Sequence, residues 1–203
     1  MPAPFTARPS AEARALVRRL LPRLLPPVLT DLGDWTTPTR ETAAGQLRSV
    51  VAFAEDGVTA HLPEVVAGLC RGCADEEPSV AAATADAARL LGRFVAPDAF
   101  LAVLLPQVRG EVSGLASGAH RAASLSVLAS SVAGMARAQL APHLDDVAAA
   151  LTDAALADAD PPELRRQLIS VLGHTIATAG PLCAGPDGAG ARGGDGGVGG
   201  FFA

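Results

Sequence analysis

Apolar residues recur along this chain at helical spacing. Leu47, Val50, Val51 and Ala54 stand at i, i+3, i+4 and i+7, which puts all four on one face of an α-helix. The spacing returns at Ala87, Leu90, Leu91 and Phe94, at Leu128, Ser131, Val132 and Met135, and at Leu168, Val171, Leu172 and Thr175. The first members of these sets lie 40, 41 and 40 residues apart. A second series runs between them: Leu21, Leu24, Leu25, Val28; Leu62, Val65, Val66, Leu69; Leu101, Leu104, Leu105, Val108; and Leu144, Val147, Ala148, Leu151. Two amphipathic helices therefore alternate within each unit. One such pair cannot cover its own apolar face, whereas stacked pairs cover one another, which predicts an all-α, α-α superhelix.

Boundary residues support the same reading. Pro38, Pro78, Pro97, Pro142 and Pro161 fall where helices should begin, and a first turn tolerates Pro because its missing N–H has no partner there. Thr37, Asp75 and Asp160 stand where they can cap free N–H groups. Pro26, Pro27 and Pro106 lie inside helical patterns and are expected to bend or shorten those helices. The pattern divides the chain into residues 1–19, with a partial repeat helix at 10–19; a repeat array over 20–179, made of pairs at 20–56, 57–95, 96–137 and 138–179; and a Gly-rich tail over 180–203. The period fits HEAT or armadillo repeats, at roughly 40–47 residues, better than tetratricopeptide or ankyrin units at about 34 and 33. A HEAT unit carries an acidic residue in its turn and an Arg early in its second helix. Asp34 with Arg40 and Asp160 with Arg165 follow that rule. Asp75 has Ala81 at the Arg position, and Arg121 lacks the preceding acid.

Composition adds exclusions. Ala occurs 43 times, and Lys, Asn and Tyr are absent, so all 16 cationic side chains are Arg. At 49% hydrophobic the chain can bury a core, while 3% aromatics and scarce Ile argue against a β-rich fold. The net charge of −5 supplies no general attraction to nucleic acid. Three Cys make no disulfide framework and suit a reducing compartment. No apolar run is long enough to span a membrane without a charge or Pro. Arg8, Arg14, Arg18, Arg19 and Arg23, with only Glu12 opposite, suit a repeat helix or a mitochondrial transit peptide, and the helix is the simpler reading. Ten of the 21 Gly lie between Gly180 and Gly200, a segment that cannot recover its ordering entropy through burial and is expected to be disordered. Phe201, Phe202 and Ala203 close it without a polar capping repeat, which suits either a fragment or a natural tail.

Candidate chemistry is sparse, and no catalytic, cofactor-binding or metal residues are assigned. Gly188, Gly190 and Gly193 spell G-x-G-x-x-G, but no strand precedes and no helix follows, so low complexity accounts for it. Cys70 and Cys73 form one C-x-x-C near a helix end. Zinc needs further ligands and redox chemistry a helix start, so buried or half-buried thiols are the expectation, with a small redox or metal protein as the alternative. His61, His120, His143 and His174 are scattered without a nucleophile at recurrent spacing. Asp75, Glu76 and Glu77 complement a helix N-terminus, and a partner-binding role is the alternative. Trp35, in the turn of the first unit, is expected to plug the neighbouring repeat, the alternative being an exposed anchor. A Trp in the first turn also suggests tubulin-binding TOG domains, but the later turns, Asp75–Pro78, Glu111–Gly114 and Asp158–Pro161, are acidic or neutral where those domains carry cations.

An ordered series of short segments carries a closer likeness. Asp34-Trp35 is followed by Thr39-Arg40, Ala43-Ala44, Leu47, Ala54-Glu55-Asp56, Val58-Thr59, His61-Leu62, Cys73 and Asp75-Glu76-Glu77. Gly92, Phe94-Val95, Pro97, Phe100-Leu101, Ser113-Gly114-Leu115, Leu128-Ala129-Ser130 and Pro142-His143-Leu144 continue in order. The chain resembles the dynein axonemal assembly factor five family, also called HEAT repeat-containing protein two, over roughly 20–155, as an internal stretch of a longer array. The resemblance implies a cytoplasmic, non-enzymatic HEAT scaffold for pre-assembly of outer and inner dynein arms. It implies axonemal dynein chains, the intermediate chain among them, and chaperones as partners; charge and the lack of a long apolar run give no expectation of nucleic acid or membrane. A generic HEAT adaptor for protein–protein contacts is the alternative. The family supplies no motif that fixes partner-binding residues, which the sequence leaves unknown.

Overall fold

The computed structural model describes residues 5, 7–153 and 162–183, with side chains through 180. Within them the chain forms nine α-helices: α1 Ala11–Asp31, α2 Thr37–Ala54, α3 Leu62–Cys73, α4 Pro78–Phe94, α5 Pro97–Arg109, α6 Gly118–Gly134, the short α7 Arg137–Leu140, α8 Leu144–Thr152 and α9 Pro162–Cys183. Helical turns of the tighter 310 kind, Glu55–His61 and Ala141–His143, lead into α3 and α8. No strand occurs among the described residues. Helices α2, α4, α6 and α9 pack side by side in that order as one layer. Helices α1, α3, α5 and α8 follow one another in the second, and α1/α2, α3/α4, α5/α6 and α8/α9 pack across the two. This is the HEAT-type solenoid that the 40-residue beat predicts.

The helix starts follow local chemistry. Pro38, Pro63, Pro78 and Pro97 occupy first-turn positions. Ser10 and Ser117 accept the backbone N–H of Ala13 and His120, both at 3.2 Å. Two capping expectations need correction. Thr37 lies inside α2, and Asp75 accepts the N–H of Glu77, the residue before α4. Asp34 does the same at α2 by accepting the N–H of Thr36. An Asp side chain reaches the N–H two positions on, so both brace the approach to a helix instead of capping it. Asp160, Pro161 and Gly188, Gly190 and Gly193 lie outside the described residues.

Helix α1 is longer than expected. Residues 10–19, read as a separate partial helix, lead straight into 20–31, and the helix runs through Pro22, Pro26 and Pro27. All three prolines sit on the exposed face, where a carbonyl deprived of its N–H meets water. Helix α5 contains Pro106 and ends at Gly110, whose φ of 77° suits Gly, with the N–H of Glu111 returning to the Pro106 carbonyl at 2.9 Å. Helix α9 extends to Cys183, past the expected boundary at 180.

The core is aliphatic and continuous from Leu21 to Ala179. Leu47, Val51, Leu69, Leu91, Leu104 and Leu128 are fully enclosed. Small residues set the distance between α4 and α6: a Cβ on Gly92 would lie 2.0 Å from the Ser131 carbonyl oxygen, and one on Gly134 1.9 Å from that of Arg89. The Ser131 hydroxyl crosses the same interface and donates to the Ala88 carbonyl at 3.0 Å. Two expected core positions differ. Ala148 is exposed on the narrow α8, and Leu172 is 40% exposed because α9 buries Leu164, Val171 and Ala179 instead.

Candidate interaction surface

Arg40 ties the turn of the first helix pair to that of the second. It stands in the first turn of α2, and its guanidinium donates from Nε to Asp75 Oδ2 at 2.7 Å and from Nη2 to Asp75 Oδ1 at 3.1 Å. Nη1 turns back to the carbonyls of Asp34 and Trp35 at 3.2 and 3.4 Å. Burial works against the charge on Asp75, but the Arg40 hydrogen bonds, the Glu77 N–H and the Arg40 charge together outweigh it and hold the carboxyl below its ordinary range. The bonds to Asp75 raise Arg40. The expected partnership of Asp34 with Arg40 is therefore hydrogen-bonded through the Asp34 backbone, with the Arg40 charge also acting on the Asp34 carboxylate. The Asp34 carboxylate is used within its own turn, accepting both the N–H and the hydroxyl of Thr36 at 2.7 and 2.6 Å. Arg121 repeats part of this role in the third pair, donating from Nε to the Val108 carbonyl at 3.0 Å.

Trp35 departs from expectation. It does not plug the next repeat: its side chain is 90% exposed. The space between the first two turns is taken by the Arg40–Asp75 pair, and the backbone of Trp35 is bound to Arg40, which leaves the indole outside. The same turn borders a shallow cleft of about 410 Å³ lined by Asp34, Arg71, Asp75 and Glu76. A second cleft, of about 460 Å³, shares Asp75 and opens between the end of α3 and the starts of α6 and α9 over Cys73, Ala119 and Ala122.

The arginine-rich beginning of the chain is used structurally. Glu55 ends α2 with φ 54° and ψ −125°, a conformation unusual for a residue with a side chain, and its carboxylate is only 3% exposed. Arg8 donates to it twice, at 2.6 and 2.7 Å, Arg14 once at 2.9 Å and Arg18 at 3.4 Å. The Arg8 hydrogen bonds lead, and together the cations pull the carboxyl to a pKa of about 2 against the cost of burial. Arg18 also binds the Ala54 carbonyl and Asp56. This cluster was invisible to periodicity; the unmatched run of Arg opposite Glu55-Asp56 was its one sequence signal.

Of the remaining candidates only Cys70 and His120 come together, both against Gln107 Oε1, at 4.0 and 3.0 Å. Cys70 is buried, with Sγ 3.6 Å from the Ser124 hydroxyl, and burial raises its thiol to about 11. Cys73 is partly buried and raised, again by burial, to about 12. Both are free thiols, one buried and one half-buried as expected, and burial keeps them protonated near neutral pH. His120 Nε2 is 3.0 Å from Gln107 Oε1, and burial lowers its pKa. His143 Nε2 is 3.4 Å from Asp98 Oδ1 at the start of α5, and exposed His174 binds the Ser170 carbonyl in its own helix. His61 closes the turn before α3. These four rings stand in four different places, and the His120 ring meets the buried Cys70 thiol only through Gln107. Among the described residues no group of His, Cys, Asp or Glu has the number and proximity to hold a metal ion, and no helix is long and apolar enough to cross a membrane. The arrangement suits binding through surfaces and turns.

Comparison with known proteins agrees with this architecture. The family described as dynein axonemal assembly factor 5, HEAT-repeat domain, matches residues 1–186. The human dynein axonemal assembly factor 5 is 35% identical over 161 residues, covering 79% of this chain and 18% of its own length. The mouse protein of that name is 37% identical over 145 residues, 71% of this chain and 16% of its own. The Xenopus laevis protein is 30% identical over 145 residues, again 71% and 16%. The chain thus spans less than a fifth of the length of the relatives it matches.

Proposed function

Since this chain belongs to the dynein axonemal assembly factor 5 family, matching its HEAT-repeat domain over residues 1–186, we propose that it is a non-enzymatic scaffold for the assembly of axonemal dynein. It works in the cytoplasm, before the arms are transported, and holds dynein chains, the intermediate chain among them, alongside chaperones. The family match is the observation that carries this reading. The fold is consistent with it: stacked helix pairs present an extended surface to a large client and need no ligand to do so.

Two experiments test the proposal. Deletion of the gene in a cell that builds motile cilia should leave axonemes lacking outer and inner arms in cross-section, and restoration of the gene should bring them back. Normal arms after deletion would overturn the reading. In the second, the purified chain is incubated with recombinant axonemal dynein intermediate chain and with an unrelated β-propeller protein. Selective retention of the first supports direct binding, and equal retention of both argues against it.

A further inference from the structure

We propose that the edge formed by Trp35, Asp34 and Glu76 is a docking site for an arginine- or lysine-bearing segment of a partner protein, with one cation seated on the Trp35 indole and its neighbours against the adjoining carboxylates.

The indole is the starting point. The other described aromatic residues are packed: Phe100 is fully buried, and Phe5, Phe53 and Phe94 rest against the core. Trp35 alone is left in water, so it adds little to the fold by burial. Its backbone is nevertheless braced from both sides. Asp34 is locked to Thr36 by two hydrogen bonds, the Thr36 hydroxyl meets that of Thr39 at 2.7 Å, and Arg40 donates to the carbonyls of Asp34 and Trp35. A large aromatic on a braced turn needs little further ordering when a partner arrives, the condition under which a Trp contributes most to an interface.

The surrounding charge selects the partner. Glu76 is 93% exposed and reaches only the edge of Arg40, at 3.9 Å. Asp31 is exposed before the turn, and Glu77 stands beside Glu76. The Thr36 hydroxyl keeps Asp34 below its ordinary carboxyl range, so it carries its charge at neutral pH. Of the cations here, Arg40 is neutralised by Asp75; Arg71 keeps its charge, with Nη1 turned to the Leu29 carbonyl at 3.1 Å, and is outnumbered by Asp31, Asp34, Glu76 and Glu77. A guanidinium or ammonium over the indole gains from the ring's negative face and from these carboxylates together. An acidic segment or a nucleic acid would be repelled. An apolar one would strip water from carboxylates without replacing its hydrogen bonds.

The site can be tested on the purified chain, independently of any role in dynein assembly. Trp35 is its only Trp and Tyr is absent, so intrinsic fluorescence reports on this edge. The probe is a twelve-residue peptide with arginine at alternate positions, and the control is the same peptide with citrulline, which keeps the shape and loses the charge. The arginine peptide should change the Trp35 emission. Its affinity, read from the anisotropy of a dye on the peptide, should fall about ten-fold with Trp35→Ala and severalfold with Glu76→Gln. Asp145→Asn with Asp146→Asn, exposed carboxylates on α8, should leave it unchanged. Equal affinity for the parent and Trp35→Ala, equal binding of the citrulline peptide, or an equal loss on neutralising α8 would each overturn the proposal. Unchanged circular dichroism and melting of Trp35→Ala would confirm that the loss is one of contact and not of fold.

Discussion

Arg40 and Asp75 stand 35 positions apart and are joined by two hydrogen bonds, from guanidinium Nε and Nη2 to the two carboxylate oxygens. They bind the first turn of one helix pair to the turn of the next, while Nη1 satisfies two carbonyls of the first turn. Arg40→Ala would leave Asp75 with no cation and those carbonyls with no donor. Its melting temperature, followed by circular dichroism at 222 nm, is expected to fall by roughly 5 °C. Arg40→Lys keeps the charge but cannot grip both oxygens and a carbonyl at once, so an intermediate loss is expected. A lysine variant as stable as the parent would show that charge alone holds the turns and that the fork geometry is incidental.

Glu55 sets an acid limit. Its carboxyl drops from an ordinary 4.5 to about 2 in the folded chain, chiefly through its hydrogen bonds from Arg8. A group whose folded pKa is depressed stabilises the fold above its unfolded pKa and loses that contribution as pH falls toward the folded value. The stabilisation should therefore be complete above about pH 5 and decline between about 4.5 and 2. Glu55→Gln removes the charge and leaves three guanidinium groups around a neutral amide. Because those arginines are partly solvated, the cost at pH 7 should be about 1–3 kcal/mol. Urea midpoints measured across this range should slope less steeply in the variant. Parallel slopes would mean that Glu55 is not the titrating group.

Much of the fold was legible because burial imposes periodicity. Leu47 and Val51, or Leu128 and Val132, had to face one way, and their 40-residue return carried the repeat. What periodicity cannot register is a contact between residues that lack it. Arg40 matched the Arg position of a HEAT unit, yet nothing within its own unit pointed to the carboxylate of the next. Trp35 departs from the usual burial of large aromatics because Arg40 and Asp75 occupy the space between the turns. The prolines of α1 and the apolar Leu172 failed for a common reason: their effect depends on which side of the helix meets water, and Ala-rich helices leave that weakly marked.

The close approach of α4 and α6 gives a paired prediction. A methyl group on Gly92 or Gly134 would collide with a backbone carbonyl, of Ser131 or Arg89, that no rotamer change can move. Gly92→Ala and Gly134→Ala should each force the helices apart and cost about 1–3 kcal/mol. Gly45 on α2 meets nothing within 4 Å of an added Cβ, so Gly45→Ala should stabilise by about 0.5–1 kcal/mol through helix propensity alone. Chemical denaturation of the three variants separates packing from propensity. A destabilisation by Gly45→Ala similar to that of Gly92→Ala would show that the inter-helix distance is not what the glycines protect.

Helix α9 carries apolar side chains that its own neighbours do not use. Ile169 and Ile176 are 70% and 67% exposed and, with Leu172, form a stripe at i, i+3 and i+7, while Val171 on the opposite side is fully buried against α6. Burial, and not hydrophobicity, decides what each residue contributes to stability. Ile169→Glu with Ile176→Glu should therefore change the melting temperature by less than about 2 °C, since neither side chain leaves a packed site. Val171→Glu, which places a carboxylate in the core, should unfold the last helix pair. If the double variant melted as low as Val171→Glu, the outer face of α9 would have to be packed within the single chain, and the helix would sit in a different register from the one seen here.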